Sequence, residues 1–354
     1  MHRPADTAIP TPRQAVLLVG GRGTRMWPLT AEIPKGLLPL GGLPFVEYQI
    51  RQLAAIGVDE VVLAVGRQAA GAWEAYAATS PEGIALRLVI EDEPLDTAGP
   101  VRAVLDTLDQ RFFVLNGDVV LEADLATVSG GSGSLGNLGL VEVDDTSAYG
   151  VVVVDGNGLV QRFVEKPSRE SAPARTVSAG VYVLSSEALA GYAPGKLSFE
   201  RVVFPNLVVR GGLGGVVLAG RWMDIGTPSL YLDTHEVVMT GGSRIHRPPA
   251  AHVTPAGTSA GGKWAWVAAD ASIAPGAIVE ESVVLAGAIV AEGAVVRRAV
   301  IGPRARIGSG AVVTGDSLVG PAAVIGERCE LDRGIRVAPG TNLPAGAIAF
   351  RPPQ

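Results

Sequence analysis

Cysteine, histidine and long apolar runs are scarce in this sequence of 354 residues. Its single cysteine, Cys329, cannot form a disulfide within the chain, and such a lone thiol is typical of a reducing compartment. No apolar run approaches the ~18 residues of a membrane-spanning helix. Basic residues number 29 against 35 acidic ones, with both signs interspersed. The sequence therefore predicts a cytoplasmic protein with small-molecule partners that binds neither nucleic acid nor membrane.

The apolar content, by contrast, is ample for two domains, with 47% hydrophobic and 18% charged residues. Residues 1–13 hold three prolines and no apolar cluster, and are expected to form a flexible leader. Residues 14–240 are predicted to form the first domain and residues 266–354 the second. The stretch between them, 241–265, is rich in glycine, proline, serine and threonine and has the composition of a linker.

Short aliphatic runs alternate with amphipathic stretches in the first domain. Ala15 to Val19, Val61 to Val65 and Phe112 to Leu115 have the composition of buried strands. Between them, apolar residues recur at helical spacing, as from Val46 to Ala54 and from Val101 to Leu108. Alternation of strand and helix predicts an α/β fold with a parallel sheet.

Aliphatic residues recur at every sixth position in the second domain. The regular series is Ile301, Ile307, Val313, Val319, Ile325, Leu331, Val337 and Leu343. The position four residues later is usually small, and a β-helix needs this because each short strand sends one branched and one small side chain into a narrow interior. Glycines at 302, 308, 320 and 326 are expected at corners, where the backbone turns. The pattern predicts a left-handed hexapeptide β-helix, with shortened corners or bulges where the spacing falls to five.

A glycine-rich turn follows the first predicted strand and reads GGRGTRMWPLT over residues 20–30, with Pro34-Lys35 just beyond. Backbone N–H groups of such a turn can surround phosphate oxygens, while Arg25 and Lys35 supply positive charge. The segment is neither a Walker loop nor a complete dinucleotide fingerprint. On composition alone, a tight strand–helix turn with surface cations is an equally good interpretation.

Further motifs occur in order along the chain and change that balance. They are Glu93–Pro100 (EPLDTAGP), Phe113–Asp118 (FVLNGD), Tyr149–Val153 (YGVVV), Arg162–Pro167 (RFVEKP), Ser178–Tyr182 (SAGVY), Ser198–Arg201 (SFER) and Trp222–Pro228 (WMDIGTP). With the glycine-rich turn, this set resembles the sugar-1-phosphate nucleotidyltransferase family, most closely its mannose-1-phosphate guanylyltransferase (GDP-mannose pyrophosphorylase) subgroup. The resemblance implies a Rossmann-like mixed-sheet domain followed by a left-handed β-helix.

The reaction implied by the resemblance is a single displacement. The phosphate of a sugar 1-phosphate, here mannose 1-phosphate, attacks the α-phosphorus of a nucleoside triphosphate, here GTP, and pyrophosphate leaves. A phosphate monoester is already ionised near neutral pH, because its second pKa is about 6, so no general base is required. Positioning and charge neutralisation are left for the protein.

The resemblance also implies a role for particular residues. Mg²⁺ is expected on Asp118 and Asp224, Arg25 and Lys35 are expected on the triphosphate, and Lys166 on the sugar phosphate. The residues implied for nucleotide binding are Gly20, Gly21, Gly23, Thr24, Arg25, Lys35, Gly99 and Asp118. Those implied for the sugar phosphate are Gly150, Glu165, Lys166 and Gly180. Larger residues at the glycines are expected to impair binding before folding.

Two positions depart from the family pattern. The family usually has glycine where this chain has Asp96, and asparagine where it has Ser178. Neither position belongs to the phosphate or metal machinery, so both concern substrate identity. Glucose, heptose or cyclitol 1-phosphates such as valienol 1-phosphate therefore stay open as acceptors, and dTTP or ATP as donors.

Two other functions are alternatives to catalysis of nucleotidyl transfer. A hexapeptide acyltransferase generally needs a histidine base beside the coil, yet all four histidines precede the regular repeats. A non-catalytic regulatory subunit is disfavoured because the charged residues of the family site are retained. The coil is instead expected to be a scaffold for a homo-oligomer, with Arg297, Arg298, Arg304 and Arg306 solvated on its outside. Trp264 and Trp266 are expected to cap its open end, and His235 to be a packed or surface histidine.

Overall fold

The computed structural model of the chain describes residues 10–79, 83–147, 149–165, 167–241 and 263–348. The chain divides into two compact units, one of residues up to 21 with 49–222, the other of residues 22–48 with those from 223 onward. The segment that carries Arg25 and Lys35 thus groups with the repeats, a division that differs from a single boundary near residue 240. The predicted leader up to residue 9 and most of the predicted linker, 242–262, lie outside the described residues.

The α/β portion contains thirteen strands and six α-helices among the described residues. The strands are β1 Gln14–Leu18, β2 Pro39–Leu40, β3 Leu43–Pro44, β4 Glu60–Gly66, β5 Ala85–Glu91, β6 Arg111–Asn116, β7 Val119–Leu121, β8 Gly136–Glu142, β9 Gly150–Val154, β10 Val160–Glu165, β11 Thr176–Ser185, β12 Leu213–Val217 and β13 Trp222–Asp224. The helices are α1 Phe45–Ala55, α2 Ala70–Ala77, α3 Gly99–Val104, α4 Glu187–Ala190, α5 Phe204–Val209 and α6 Pro228–Met239.

The main sheet of the first unit has the order β10-β9-β11-β6-β1-β4-β5, with β8 pairing β11 and β12. Strands β6, β1, β4 and β5 run parallel, whereas β11 is antiparallel to β6. Val16, Val62 and Val114 on these strands are fully buried in one core cluster. The Rossmann-like mixed sheet is confirmed. The second predicted helix is shorter than its apolar pattern, since α3 ends at Val104 and a 3-10 turn over Leu105–Thr107 replaces it.

The repeats form a left-handed parallel β-helix of three sheets. Its strands are β14 Ala265–Val267, β15 Ser272–Ile273, β16 Ile278–Glu280, β17 Ser282–Val284, β18 Ile289–Val290, β19 Val295–Arg297, β20 Ala299–Ile301, β21 Arg306–Ile307, β22 Val312–Val313, β23 Ser317–Val319, β24 Val324–Ile325, β25 Glu330–Leu331, β26 Arg336–Val337 and β27 Asn342–Leu343. The predicted aliphatic series fills the interior together with small residues such as Ala305, Ala311 and Cys329. Cys329 is fully buried there, as its repeat position predicted.

Shortened corners explain the five-residue spacings. In the interior series these spacings run from Val279 to Val284 and from Val296 to Ile301. A single left-handed residue, Glu281 (φ 49°) or Arg298 (φ 47°), lies at each of these corners, whereas Gly315 and Asp316 are both left-handed at a later one. Val284, and not Leu285 six residues after Val279, belongs to the interior cluster, because the first shortened corner advances the register by one.

The four glycines expected to turn the corners are needed for a different reason. None of them has a left-handed backbone. A Cβ on Gly302 would lie 2.5 Å from the carbonyl oxygen of Val319, and one on Gly308 would lie 2.7 Å from the backbone nitrogen of Glu327. Successive coils therefore stack backbone on backbone at these positions, and the explanation from turning was wrong.

Arg297, Arg304 and Arg306 of the coil are exposed, as predicted, and Arg298 is half-buried. Arg297 pairs with Glu280, Arg298 with Asp233 and Asp316, and Arg304 with Glu32. The prediction that Trp266 caps the open end of the coil was wrong. Trp266 lies between the inward Ala265 and Val267 and points away from the interior. It cannot cap the open end from there.

His235 is fully buried on α6, between Trp264 and Trp266, each 6.2 Å from its ring centroid. Its Nδ1 donates to the carbonyl oxygen of Tyr231 at 3.1 Å. Burial lowers the pKa of His235 to about 4, against the opposing effect of that bond. The histidine is therefore a packed, neutral one.

A pH dependence of stability follows from His235. Its folded pKa lies below its unfolded value of 6.5, so its stabilising effect is complete above pH 6.5 and is lost as pH falls toward 4. The loss should reach about 3 kcal/mol, at ~1.4 kcal/mol for each unit of pKa. Urea unfolding between pH 7 and 4 should give a shallower decline for His235→Phe than for the wild type; equal slopes would contradict the prediction.

Candidate functional site

In the first unit, the carboxyl ends of parallel strands bring glycines and carboxylates to one edge of the sheet. A Cβ on Gly20, just after β1, would lie 2.8 Å from Oε1 of Glu91 and 3.2 Å from the backbone nitrogen of Gly66. A Cβ on Gly21 would meet nothing within 4 Å, so open space adjoins this part of the turn. The main chain at Gly21 is thus accessible to a ligand.

Glu91 is a residue of this edge that sequence reasoning missed. It ends β5, and its Oε2 accepts the backbone N–H of Leu95 at 3.0 Å. Burial raises the pKa of Glu91 despite that hydrogen bond. A carboxylate at the end of a strand that runs beside β1 and β4 was the available signal. This side chain can accept hydrogen bonds from a ligand lying over Gly20.

Asp118 lies in a tight turn between β6 and β7 that is held from two sides. The buried amide of Gln49, on α1, donates to the carbonyl oxygens of Asn116 and Val119, both at 2.8 Å. On the other side, a Cβ on Gly117 would lie 2.7 Å from the carbonyl oxygen of Leu18, so only glycine fits against β1. The position of the Asp118 backbone is fixed by the fold of this unit.

A bulge in β11 lies next to this turn. The pairing of β11 with β8 shifts between Ser178 and Tyr182, and Gly180 has a φ of 73° within it. A Cβ on Gly180 would lie 2.9 Å from Nδ2 of Asn116. The buried hydroxyl of Tyr182 is hydrogen-bonded by Ser178 and Asn116, and desolvation raises the pKa of Tyr182 far above its usual range. Ser178 therefore belongs to a polar network beside the Asp118 turn.

Aromatic residues adjoin the same bulge. The indole N–H of Trp222 donates to the carbonyl oxygen of Ala179 at 3.2 Å, and its ring meets Tyr149 edge to face at 5.1 Å. Tyr149 directly precedes Gly150, the first residue of β9. Two segments expected to bind the sugar, around Gly150 and Gly180, are thus brought together in this unit.

The loop with Asp96 explains one departure from the family pattern. Asp96 has a φ of 66°, a conformation that favours glycine and that aspartate also tolerates. Its carboxylate accepts the N–H of Thr97 at 2.9 Å and pairs with Arg201. The added charge is thus neutralised within the protein.

Gly99, expected to let the backbone approach the nucleotide, is also packed closely by the protein itself. A Cβ there would lie 2.6 Å from the carbonyl oxygen of Gly195 and 2.7 Å from the Cβ of Leu95. Substitution at Gly99 should therefore impair folding as well, contrary to the expectation that binding would suffer first.

The second unit holds the cationic half of the glycine-rich turn. Gly23 has a φ of 59°, and a Cβ there would lie 2.9 Å from Cγ2 of Thr30 and 3.2 Å from Cβ of Lys35. Thr30 donates its hydroxyl to the carbonyl oxygen of Gly23 at 3.0 Å. The chain then forms 3-10 turns over Thr24–Met26 and Lys35–Leu37. The fold of this segment brings Lys35 back to Gly23.

The side chains of Arg25 and Asp224 both approach Gly226 in this unit. A Cβ on Gly226 would lie 2.8 Å from Nη2 of Arg25 and 2.8 Å from Oδ1 of Asp224. The N–H of Gly226 also donates to Oδ1 of Asp224, which fixes that carboxylate. A guanidinium and a carboxylate far apart in the sequence are thereby brought to the same glycine.

Comparison with known proteins shows the family of this chain. The Nucleotidyl transferase family model matches residues 14–241. The chain belongs to that family. A second model, the GMPPB C-terminal domain, matches residues 249–349 of this nucleotidyl transferase.

Among curated relatives, a mannose-1-phosphate guanylyltransferase 1 of Arabidopsis thaliana is 34% identical over 293 residues, covering 77% of this chain and 79% of its own length. A mannose-1-phosphate guanyltransferase of Schizosaccharomyces pombe is 38% identical over 244 residues; the match spans just under two thirds, 66%, of each protein. The crystal structure of HddC from Yersinia pseudotuberculosis complexed with GMP-PN is 28% identical, with a TM-score of 0.55 over 63% of this chain and 98% of that one.

The carboxylates of this nucleotidyl transferase fit a Mg²⁺ ion that is bound partly by the protein and partly by the phosphates of a substrate. In the described part of the chain, no three Asp, Glu, His or Cys side chains form a complete metal cage. Mg²⁺ bound to nucleotides commonly takes one or two carboxylates and completes its shell with phosphates and water. The oriented oxygen of Asp224 suits that mode.

Two site residues of the nucleotidyl transferase cannot be placed. Lys166 lies outside the described residues, as does the side chain of Glu165. Among the described residues, no helix has the length and apolarity that crossing a bilayer requires.

Proposed function

We propose that this chain transfers a guanylyl group from GTP to mannose 1-phosphate, giving GDP-mannose and pyrophosphate. The observation that carries the proposal is that Nη2 of Arg25 and Oδ1 of Asp224 both approach Gly226. A triphosphate with its metal ion needs a fixed cation for phosphate oxygens and a fixed carboxylate for the metal. Relatives named as mannose-1-phosphate guanylyltransferases support the choice of substrates.

The proposed step forms one bond and breaks one. An oxygen of the sugar phosphate bonds to the α-phosphorus, while the bond from that phosphorus to the bridging oxygen of pyrophosphate breaks. Mg²⁺, held by Asp118 and Asp224, would neutralise charge that develops on the phosphates. Arg25 and Lys35 neutralise the triphosphate, and Lys166 holds the attacking phosphate. Glu165 accepts hydrogen bonds from sugar hydroxyls in this proposal.

The remaining binding roles fall to backbone groups and small residues. We assign the nucleotide to the turn over Gly20, Gly21, Gly23 and Thr24, and to the helix start at Gly99. The sugar is assigned to the segments around Gly150 and Gly180, which lie together in the first unit.

Base selection is assigned to Glu91. Guanine presents two adjacent N–H donors on its pairing edge, and a carboxylate accepts both, whereas thymine offers one such donor between two acceptors. Oε1 of Glu91 faces the Cβ position of Gly20, while Oε2 is held by Leu95. Glu91→Gln should therefore lower kcat/KM for GTP about thirtyfold, equivalent to ~2 kcal/mol for a charged hydrogen bond, and should affect dTTP less. An equal loss for both nucleotides would remove Glu91 from base selection.

The activity is tested by pyrophosphate release over a grid of GTP, dTTP, ATP, CTP and UTP against several sugar 1-phosphates with Mg²⁺. We expect the highest kcat/KM for GTP with mannose 1-phosphate. Preference for dTTP or ATP would reject the guanylyl assignment.

A different acceptor is a second candidate, favoured by the shorter Ser178 in the bulge beside Asn116. Glucose, heptose and cyclitol 1-phosphates such as valienol 1-phosphate therefore belong in the grid. Good GTP turnover on one of these, without turnover on mannose 1-phosphate, would select this candidate.

The proposed location is the cytoplasm, and the proposed assembly is a homo-oligomer built through the coil. Light scattering of the purified protein tests the second of these directly. A monomer at micromolar concentration would reject it.

A further inference from the structure

One outer face of the coil is apolar and buried. Trp266, Val283, Val300 and Leu318 stand in register on neighbouring strands of the sheet β14-β17-β20-β23-β26. They alternate with inward residues and do not belong to the interior cluster, yet Val283, Val300 and Leu318 are fully buried and Trp266 is 6% exposed. Other parts of the folded chain therefore cover this face, which we call the docking face.

Contacts along the coil identify two elements that lie against the docking face. At the first rung, Trp266 packs near His235 of α6. Above it, Arg298 donates to the hydroxyl of Ser229 at 2.7 Å and to Asp233 at 2.9 Å, both on α6. The helix that follows the Asp224 motif is thus fixed to the coil.

The second element is the cationic segment of the glycine-rich turn. Arg336, which continues the docking face after Leu318, donates to the carbonyl oxygen of Trp27 at 3.0 Å. Arg304 pairs with Glu32 at 2.6 Å. Both contact points lie between Arg25 and Lys35 in the sequence.

This segment has little regular structure of its own. Two of its turns rest on two backbone hydrogen bonds each. Met26 and Trp27 donate to Gly23 and Thr24 at 2.8 Å and 3.2 Å, and Leu37 and Leu38 donate to Pro34 and Lys35 at 2.8 Å and 3.1 Å. Short 3-10 turns are marginal by themselves. Contacts with a rigid neighbour are therefore needed to hold the cations that it carries.

We propose that Arg304 and Arg336 of the coil are positioning residues for nucleotidyl transfer, acting by holding the segment that carries Arg25 and Lys35. The proposal rests on the proposed function, in which those two cations bind the triphosphate. It gives the coil a part in catalysis that needs no catalytic group on the coil itself.

Kinetics of arginine variants test the proposal. Each contact is partly exposed, so Arg304→Ala or Arg336→Ala should raise KM for the triphosphate about threefold, and the double variant about tenfold, corresponding to ~0.7 and ~1.4 kcal/mol. KM for the sugar phosphate should stay within about twofold. Arg328→Ala is the matched control, because Arg328 is a left-handed corner residue of the same coil that pairs with its neighbour Glu327. It should leave both constants unchanged.

Charge reversal separates positioning from general weakening of the fold. Arg304→Glu alone should raise KM for the triphosphate, and adding Glu32→Arg should restore at least half of the loss. Failure of the pair to recover, or a double alanine variant that behaves like Arg328→Ala, would overturn the proposal.

Hydrogen exchange gives a readout that does not depend on the substrate. In the double alanine variant, amides of Met26 and Leu37 should exchange about tenfold faster, while amides of the coil interior stay unchanged. Unchanged exchange at Met26 and Leu37 would overturn the positioning role. Faster exchange in a protein that releases no pyrophosphate from any triphosphate would keep the contact and reject the proposed function instead.

Discussion

Replacing Asp224 by asparagine is expected to lower kcat/KM for pyrophosphate release about a thousandfold, or ~4 kcal/mol. The amide keeps the size of the side chain, and its oxygen can still accept the N–H of Gly226. What it loses is the negative charge that would bind Mg²⁺ in the proposed function. Because the nearby Arg25 remains, the site would then carry an excess of positive charge, and Mg²⁺ would bind more weakly. The melting temperature should stay within a few degrees of the wild type.

The measurement is pyrophosphate release as a function of Mg²⁺ concentration. The Mg²⁺ concentration for half-maximal activity should rise in Asp224→Asn and in Asp118→Asn. Asp270→Asn is the control, since Asp270 is exposed on a turn of the coil and has no assigned role. Full pyrophosphate release by Asp118→Asn or Asp224→Asn would overturn the assignment of these carboxylates as metal ligands.

Much of the fold was predictable because apolar periodicity reports directly on burial. Aliphatic runs such as Val61–Val65 became strands of the sheet, within one or two residues of their predicted ends. The sixfold series became the coil interior for the same reason. The predicted helix was longer than α3 because its apolar face continues through Leu108. In the structure the chain has already changed to a 3-10 turn after Val104.

The supports of the site were not predictable, since they join side chains to main-chain groups distant in the sequence. Nothing in the surroundings of Gln49 indicates that it holds the turn of Asp118 by two carbonyl oxygens. Likewise, Arg304 and Arg336 have the pattern of solvated positions on a repeat. Their partners, at Glu32 and Trp27, become visible only once the segment and the coil are folded together.

The departure at Asp96 illustrates the same limit. A carboxylate in a nucleotide-binding loop suggested altered specificity. In the structure it pairs with Arg201, a residue of another family motif, and occupies a backbone conformation that suits glycine. The family pattern correctly identified Asp96 as a departure. The role of its carboxylate could not be read from the sequence, because only the fold brings Arg201 beside it.

The glycines of the coil give the second large effect. Gly302→Ala should lower the free energy of unfolding by about 3 kcal/mol, the upper range for overpacking a rigid site. A Cβ there would lie 2.5 Å from the carbonyl oxygen of Val319, and 2.8 Å and 2.9 Å from backbone atoms of Gly320 and Pro321. All three atoms belong to the next coil, so no flexible side chain can move aside, and relief requires the two coils to separate.

Gly334→Ala is the matched control, because it tests backbone conformation without crowding. Gly334 has a φ of 73°, yet a Cβ there would meet nothing within 4 Å. Ala322 already occupies the left-handed region in this coil, at a φ of 54°, so the control should cost only about 1 kcal/mol. Urea unfolding followed by circular dichroism measures both. If turning were the reason for glycine at 302, Gly334→Ala would be the more destabilised variant. If close stacking is the reason, Gly302→Ala is the more destabilised variant. The stacked glycines then set how closely the coils that support the docking face can approach each other.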